Sequence, residues 1–143
     1  MVNRRARLYL YWLPPIVWAI VIFAASTSLF TAQHTGSVLE AIINTIVGHP
    51  LKSSQFDVIH FLVRKAGHLT EYAIFGALLF RAIRNDRSGW SWRWALAAIA
   101  IAALYAATDE FHQSFVPGRT PSVWDVLIDT TGATLVQVLF FRR

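Results

Sequence analysis

The sequence predicts an all-α integral membrane protein with about four transmembrane helices and a short amphipathic outer helix. Three observations carry that prediction. Hydrophobic residues make up 55% of the 143 and charged ones only 15%, against about a quarter charged in soluble domains. Uncharged apolar stretches recur at close to the roughly twenty residues that a helix needs to cross a bilayer. Basic residues fall between those stretches, where membrane topology accounts for them. That placement also argues against nucleic acid as a partner despite a formal charge of +5, because such binding needs the basic residues on one face. The chain has one domain's length, so residues 1–143 read as a single membrane domain. It contains no Cys, which excludes disulfides, thiolate metal sites and Cys nucleophiles.

The first span is expected over residues 8–30. Arg4, Arg5 and Arg7 precede an uncharged run from Leu8 to Phe30. A signal peptide has the same outline, but the run exceeds an ordinary h-region and Ala24-Ala25-Ser26 makes a weak cleavage site. Pro14-Pro15 belong near the start of this helix or kink it, since neither donates a backbone hydrogen bond. Residues 31–55 are too polar to span. Ser37-Val-Leu-Glu40 has the form of a capping box. Val38, Leu39, Ile42, Ile43, Ile46 and Val47 then recur at helical spacing up to Gly48 and Pro50. This is the amphipathic helix, lying on the bilayer surface or over the bundle as a lid.

A second long helix is predicted from Phe56 to Ile83, with its membrane part over 66–84. Arg81 and Arg84 end it, and Gly89 turns the polar linker that follows. Trp90, Trp92 and Trp94 mark an interfacial aromatic belt at the start of the third span, 92–112. The Ala-rich run 95–107 lets neighbouring helices approach closely in lipid. Pro117-Gly118 close that helix. Thr120 is the expected cap of the fourth span, 121–141, with Pro121 in its first turn.

Charge sets the expected orientation. With the amino terminus in the cytoplasm, nine basic residues (Arg4, Arg5, Arg7, Arg81, Arg84, Arg87, Arg93, Arg142 and Arg143) fall inside. The other four of the 13, Lys52, Arg64, Lys65 and Arg119, fall outside. This is the positive-inside pattern for a multi-pass protein of the bacterial inner membrane with both termini cytoplasmic. Every acidic residue except Asp86 then lies on the outer half, so three polar clusters distant in sequence share one end of the bundle.

Ionisable groups at membrane depth are costly and mark function. His68, Glu71 and Tyr72 stand at i, i+3 and i+4 on one helix face, which Lys65 shares. Asp109 shares a face with His112 and Gln113, and Glu110 with Gln113. A carboxylate beside an imidazole is the raw material of acid–base work. Asp125 and Asp129 are i, i+4, with Gly132 continuing the stripe. Ser122-x-x-Asp125 also reads as a simple capping interaction. Asp129 lies two turns in and needs a buried partner, for which Arg119 is the natural cation. Interfacial anchoring and emergence into water are the plainer readings of Lys65, Tyr72 and His112. His68 with Glu71, Glu110, Asp125 and Asp129 would suit a hard or borderline divalent ion. The cations nearby can neutralise those carboxylates equally well, and no cofactor is expected. No phosphate loop, Ser-nucleophile motif or dinucleotide fingerprint is present.

Lys65-Ala-Gly-His68-Leu-Thr-Glu71-Tyr72-Ala-Ile-Phe-Gly76 is followed by Asp109-Glu110-Phe-His-Gln113-Ser-Phe-Val-Pro117-Gly118-Arg119-Thr-Pro-Ser122-Val-Trp-Asp125 and Asp129-Thr-Thr-Gly132. In this order and spacing the sequence resembles the VanZ-like family of small bacterial membrane proteins over residues 64 to 133. At the position of Asp129 that family often has Asn. The resemblance implies a cell-envelope role of the glycopeptide-resistance type, associated with teicoplanin, and brings no agreed reaction.

Three functions follow as expectations. In the first, the polar pocket binds an anionic lipid or lipid-linked wall-precursor group at the outer face. Lys65, His68 and Arg119 hold the anion there, and Glu71, Glu110, Asp125 and Asp129 orient the cations, with Tyr72, Gln113 and Ser122 completing the site. In the second, a membrane-embedded hydrolase or transferase uses Glu110 or Asp109 as base and His68 as acid, with Arg119 stabilising developing charge. In the third, the chain is a small carrier subunit working as an oligomer. Membrane lipids are the partners common to all three.

Overall fold

The computed structural model describes residues 4–27, 32–117 and 119–141. Among them are five helices and no strand: α1 (Arg4–Ser26), α2 (Ala32–Val47), α3 (Ser53–Arg84), α4 (Trp92–Gln113) and α5 (Val123–Phe141). The expected end of the first span at Leu29-Phe30, the turn residue Gly118 and the closing Arg142-Arg143 lie outside the described residues.

α1, α4 and α5 are long and apolar enough to cross a membrane, so three described helices qualify where about four spans are expected. Their outer surfaces leave large apolar side chains exposed, such as Leu8, Ile16 and Ile20 on α1, Leu104 on α4 and Leu139 on α5. In water such a surface would be an association hazard, whereas in lipid it is the solvated face. α3 does not qualify, because His68, Glu71 and Arg81 interrupt its apolar stretch. At 32 residues it is roughly 48 Å long, well beyond the roughly 30 Å of bilayer core.

α1 and α4 run one way and α3 and α5 the other. α3 and α5 share the closest interface, and glycine makes it possible. A Cβ added at Gly132 would lie 2.3 Å from the carbonyl oxygen of Leu69, and one at Gly76 would lie 2.9 Å from Cα of Ala133. Small residues permit such backbone approach where water supplies no driving force. Gln137 Nε2 then donates to the Gly76 carbonyl at 3.1 Å. α4 turns the stripe Ala95, Ala98, Ala102 and Ala106 into the core against Phe75, Leu79 and Phe80. The Trp18 indole donates to the Glu71 carbonyl at 2.9 Å, and the Tyr105 hydroxyl to the Ala19 carbonyl at 2.7 Å. These two bonds hold α1 against α3 and α4.

Several local expectations need correction. α2 begins at Ala32, so Ser37 lies inside the helix and is not its cap. The positive φ of Gly48 does end it, at the predicted place. α3 begins at Ser53 rather than Phe56, because Lys52 forms the N-cap: its N–H donates to Gln55 Oε1 and its carbonyl accepts from Phe56. α5 begins at Val123, so Thr120 and Pro121 remain in the loop. Ser122 takes the capping position, its hydroxyl oxygen accepting from Trp124 N–H at 3.2 Å. Pro14 and Pro15 lie in the middle of α1 rather than near its start.

The two ends of the bundle differ chemically. One gathers arginines over aromatic rings, with Arg81 on Tyr11 and Arg87 on Trp94 at 5.4 and 5.6 Å. Beside them Asp86 accepts from Arg7 at 2.9 Å and from the Tyr11 hydroxyl at 2.6 Å. The Tyr11 hydrogen bond, followed by that from Arg7, holds the Asp86 carboxyl below its ordinary pKa. The opposite end gathers the polar clusters.

Candidate functional site

At that end the polar residues of α3 sort onto two faces. Towards α5, Lys65 pairs with Asp125, and one turn further His68 Nδ1 meets Asp129 Oδ1 at 3.2 Å. Leu69 against Gly132 and Gly76 against Ala133 continue the same line. Asp125 and Asp129 are buried, so this is a seam of paired groups, bordered at Lys65 and Asp125 by a second cavity. The expected Arg119–Asp129 pair does not form. Asp129 is fully buried behind His68, while Arg119 reaches α1 and donates to the carbonyls of Ala25 and Thr27.

The other face of α3 lines a cavity of about 240 Å³ closed by α1, α2, α4 and the loop before α5. Arg64, Gly67, His68 and Glu71 come from α3, Ser26 and Ala25 from α1, Asp109 and Gln113 from α4, and Arg119 from the loop. α2 contributes Thr35 and Leu39 and rests on α3 through Gly36, whose Cβ position is 3.6 Å from the His60 ring. His68 therefore belongs to both faces. Its Nδ1 is held by Asp129, which leaves the rest of the ring to the cavity. A carboxylate at one ring nitrogen fixes the orientation, and in the neutral ring the tautomer, of the other.

Inside the cavity, Asp109 is satisfied by neutral donors: the Ser26 hydroxyl at 2.5 Å and Gln113 Nε2 at 2.9 Å. Neither Arg64 nor Arg119 forms an ion pair with a carboxylate among the described residues. The Arg119 Nε–H is buried without an acceptor. Burial lowers the pKa of Arg119, and the Arg64 guanidinium facing it lowers it further. A guanidinium still stays charged at any accessible pH. The cavity thus holds two guanidinium groups in each other's field and in that of the Glu71 and Asp109 carboxylates, with the Arg119 Nε–H left over.

Besides Asp129 in the seam, Glu110 and Tyr72 line neither this cavity nor its neighbour. Glu110 is buried and its Oε2 accepts from Ser122 N–H at 2.7 Å, placing its charge at the amino end of α5, where the helix dipole favours it. Its Oε1 has no partner. Tyr72 is fully buried in the core, edge-on to Phe75 at 6.2 Å, with its hydroxyl unpartnered. Ser122, Asp125 and Lys65 line a second cavity of about 270 Å³ with Asp57, His60, Phe61, Arg64 and Thr120. Of the sequence-based candidates, His68, Glu71, Asp109, Gln113 and Arg119 share the main cavity, while Lys65, Ser122 and Asp125 share its neighbour. Among the described residues no group of three His, Asp or Glu side chains is arranged to hold a metal ion.

Polar lining residues outside the sequence-based set are Ser26, Thr35, His60 and Arg64 in the main cavity, with Asp57 and Thr120 added in its neighbour. For two of them a signal exists: His60, Arg64, His68 and Glu71 recur at four, four and three residues, one helical face. Ser26 is a lone hydroxyl ending an apolar run. No curated protein and no solved structure matches the chain. A family model described as VanZ/LLP1 matches residues 11–142.

Proposed function

The chain belongs to the VanZ/LLP1 family, and on that premise we propose that it is a bacterial envelope protein binding an anionic lipid head group, or a lipid-linked wall-precursor phosphate, in its polar cavity. One observation carries this reading: Arg64 and Arg119, from different elements, line one cavity without a carboxylate partner among the described residues. A phosphate oxygen pair is the ligand that planar guanidinium forks suit best. His68, held by Asp129, adds a third donor. In this reading α3 is the fourth crossing. Arg64, Lys65, His68 and Glu71 are at most partly exposed on it, as intramembrane charges facing other helices are. The arginine-rich end then lies in the cytoplasm under the positive-inside rule, and the cavity opens on the outer side. A role in glycopeptide resistance of the teicoplanin type would follow from head-group binding at that surface.

The test is lipid analysis of the purified protein together with titration in lipid nanodiscs. Anionic phospholipid should co-purify above its share of the host membrane, and Arg119→Gln should weaken its binding about tenfold or more, the worth of a charge-assisted bond. Lipid bound in host proportion, or unchanged by Arg64→Gln and Arg119→Gln together, would end the proposal. A second reading, acid–base turnover of a lipid-linked substrate, draws support from His68 and Asp109 lining one cavity. Product formation lost in His68→Ala with lipid binding retained would favour it.

A further inference from the structure

Two cavities meet at one wall. His60 and Arg64 line both the chamber of about 240 Å³ and its neighbour of about 270 Å³. Either alone falls below the usual size of a small-molecule site, whereas the pair reaches it. Their chemistry is opposite. The first chamber has donors to spare: the Arg119 Nε–H is without an acceptor, and Arg64 forms no ion pair among the described residues. The second has acceptors to spare. Asp57 is exposed and forms no ion pair among the described residues. Asp125 has given only Oδ1 to Lys65, and the hydroxyls of Thr120 and Ser122 stand beside them. The Phe61 ring, 58% exposed, offers an apolar face and holds the Lys65 ammonium at 5.3 Å.

We propose that the second chamber receives a polyhydroxyl group attached to the phosphate in the first, so that the ligand is a phosphodiester of a polyol such as a phosphatidylglycerol-type lipid. The proposal rests on the phosphate reading above and adds the second substituent. Hydroxyls supply the missing donors to Asp57 and Asp125, accept from Thr120 and Ser122, and lay their C–H face on Phe61. An ammonium substituent would also donate, but the carboxylates of Asp57 and Asp125 are already balanced in this chamber by Arg64 and Lys65, which a further cation would have to enter beside. Like charges brought together without water between them repel strongly.

The experiment titrates three lipids of equal chain length into the full-length protein in nanodiscs and reads binding by native mass spectrometry. Phosphatidylglycerol should bind at least about tenfold tighter than phosphatidylethanol, which carries the same phosphodiester charge and no hydroxyl, since hydrogen bonds to charged groups have that worth. Asp57→Ala with Thr120→Val should erase this preference and leave phosphatidylethanol unchanged. Both positions are exposed, and an unchanged melting temperature would show that the fold survives. Equal binding of the two lipids overturns the polyol assignment while leaving the phosphate reading intact, provided Arg119→Gln weakens both. Preference for phosphatidylethanolamine overturns it in favour of an ammonium. Indifference of all lipids to Arg64→Gln and Arg119→Gln removes the phosphate reading and this one with it. The deacylated diester, glycerophosphoglycerol, is the competitor that separates sources. If it displaces the lipid at equal concentration, the same chemistry arrives from a soluble donor.

Discussion

The two faces of α3 carry similar residues in different condition. On the α5 side, Lys65–Asp125 and His68–Asp129 are direct pairs above a backbone contact made by Gly132 and Gly76, the first of them bordering the second chamber. On the cavity side, Arg64, Glu71 and the ring of His68 line open space. Charge on α3 therefore has two uses that residue type alone does not separate. Groups whose partners lie across a tight helix contact hold the bundle. Groups facing a cavity without direct partners are available to a ligand. The first set should govern stability and the second binding.

The strongest test of that division is at Gly132. A methyl there would sit 2.3 Å from a backbone carbonyl, which cannot rotate away as a side chain can. Gly132→Ala should force α3 and α5 apart at a cost at or above the upper end of the ~1–3 kcal/mol typical of overpacking, read as a fall in melting temperature and yield. A variant of unchanged stability would mean that the seam is not a rigid contact.

Asp129→Ala comes next. It leaves the half-buried His68 at the seam without its acceptor, and losing a buried hydrogen-bond partner costs up to about 1–3 kcal/mol. Because Asp129 also orients the ring that lines the cavity, this change should lower both stability and anionic-lipid affinity. His68→Gln should lower affinity more than stability. If Asp129→Ala reduces melting temperature with no change in affinity, His68 belongs to the seam alone.

How much of this was legible in the sequence follows the same division. The polar clusters were readable as one end of the bundle because helix length and positive-inside charge place them without knowledge of side-chain direction. Lys65, His68 and Glu71 were readable as neighbours by spacing. Which of them pairs with α5 was not, since the rotation of α3 about its axis is set by Gly76 and Gly132, whose meaning appears only once the opposing backbone is known. Charge alone matches Arg119 to Asp129. Distance along the fold decides otherwise: His68 is nearer, and Arg119 finds the carbonyls left at the carboxyl end of α1. The extent of α2 was missed because a strong Ser37–Glu40 signature sits inside a helix that begins five residues earlier.

Arg64→Gln sharpens the cavity side. Its side chain is partly exposed and has no ion pair among the described residues, so stability should move by no more than about 0.5 kcal/mol. Affinity for an anionic head group should fall about tenfold. The ratio of these two effects, compared with that for Gly132→Ala, is a direct measure of how far the faces are specialised.

The smallest effect is expected from Asp86, which supplies a reference for the same kind of pair outside the seam. Its carboxylate accepts from Tyr11 and Arg7 at the arginine-rich end, half exposed in its side chain, and its pKa is lowered in the folded state. A carboxyl lowered on folding contributes stability that is fully present above the unfolded value of about 3.9. The contribution is lost as pH falls through the folded value. Melting temperature should therefore dip slightly further on acidification below about pH 4 in the parent than in Asp86→Asn, and the two should titrate in parallel above it. Salt should shrink the difference, because exposed pairs are screened within about 8–10 Å at ordinary ionic strength. The same salt series should leave the penalty of Asp129→Ala nearly unchanged, since its pair is shielded from solvent. If the two respond alike to salt, the seam is wet, and the separation between structural and ligand-facing charge on α3 loses its physical basis.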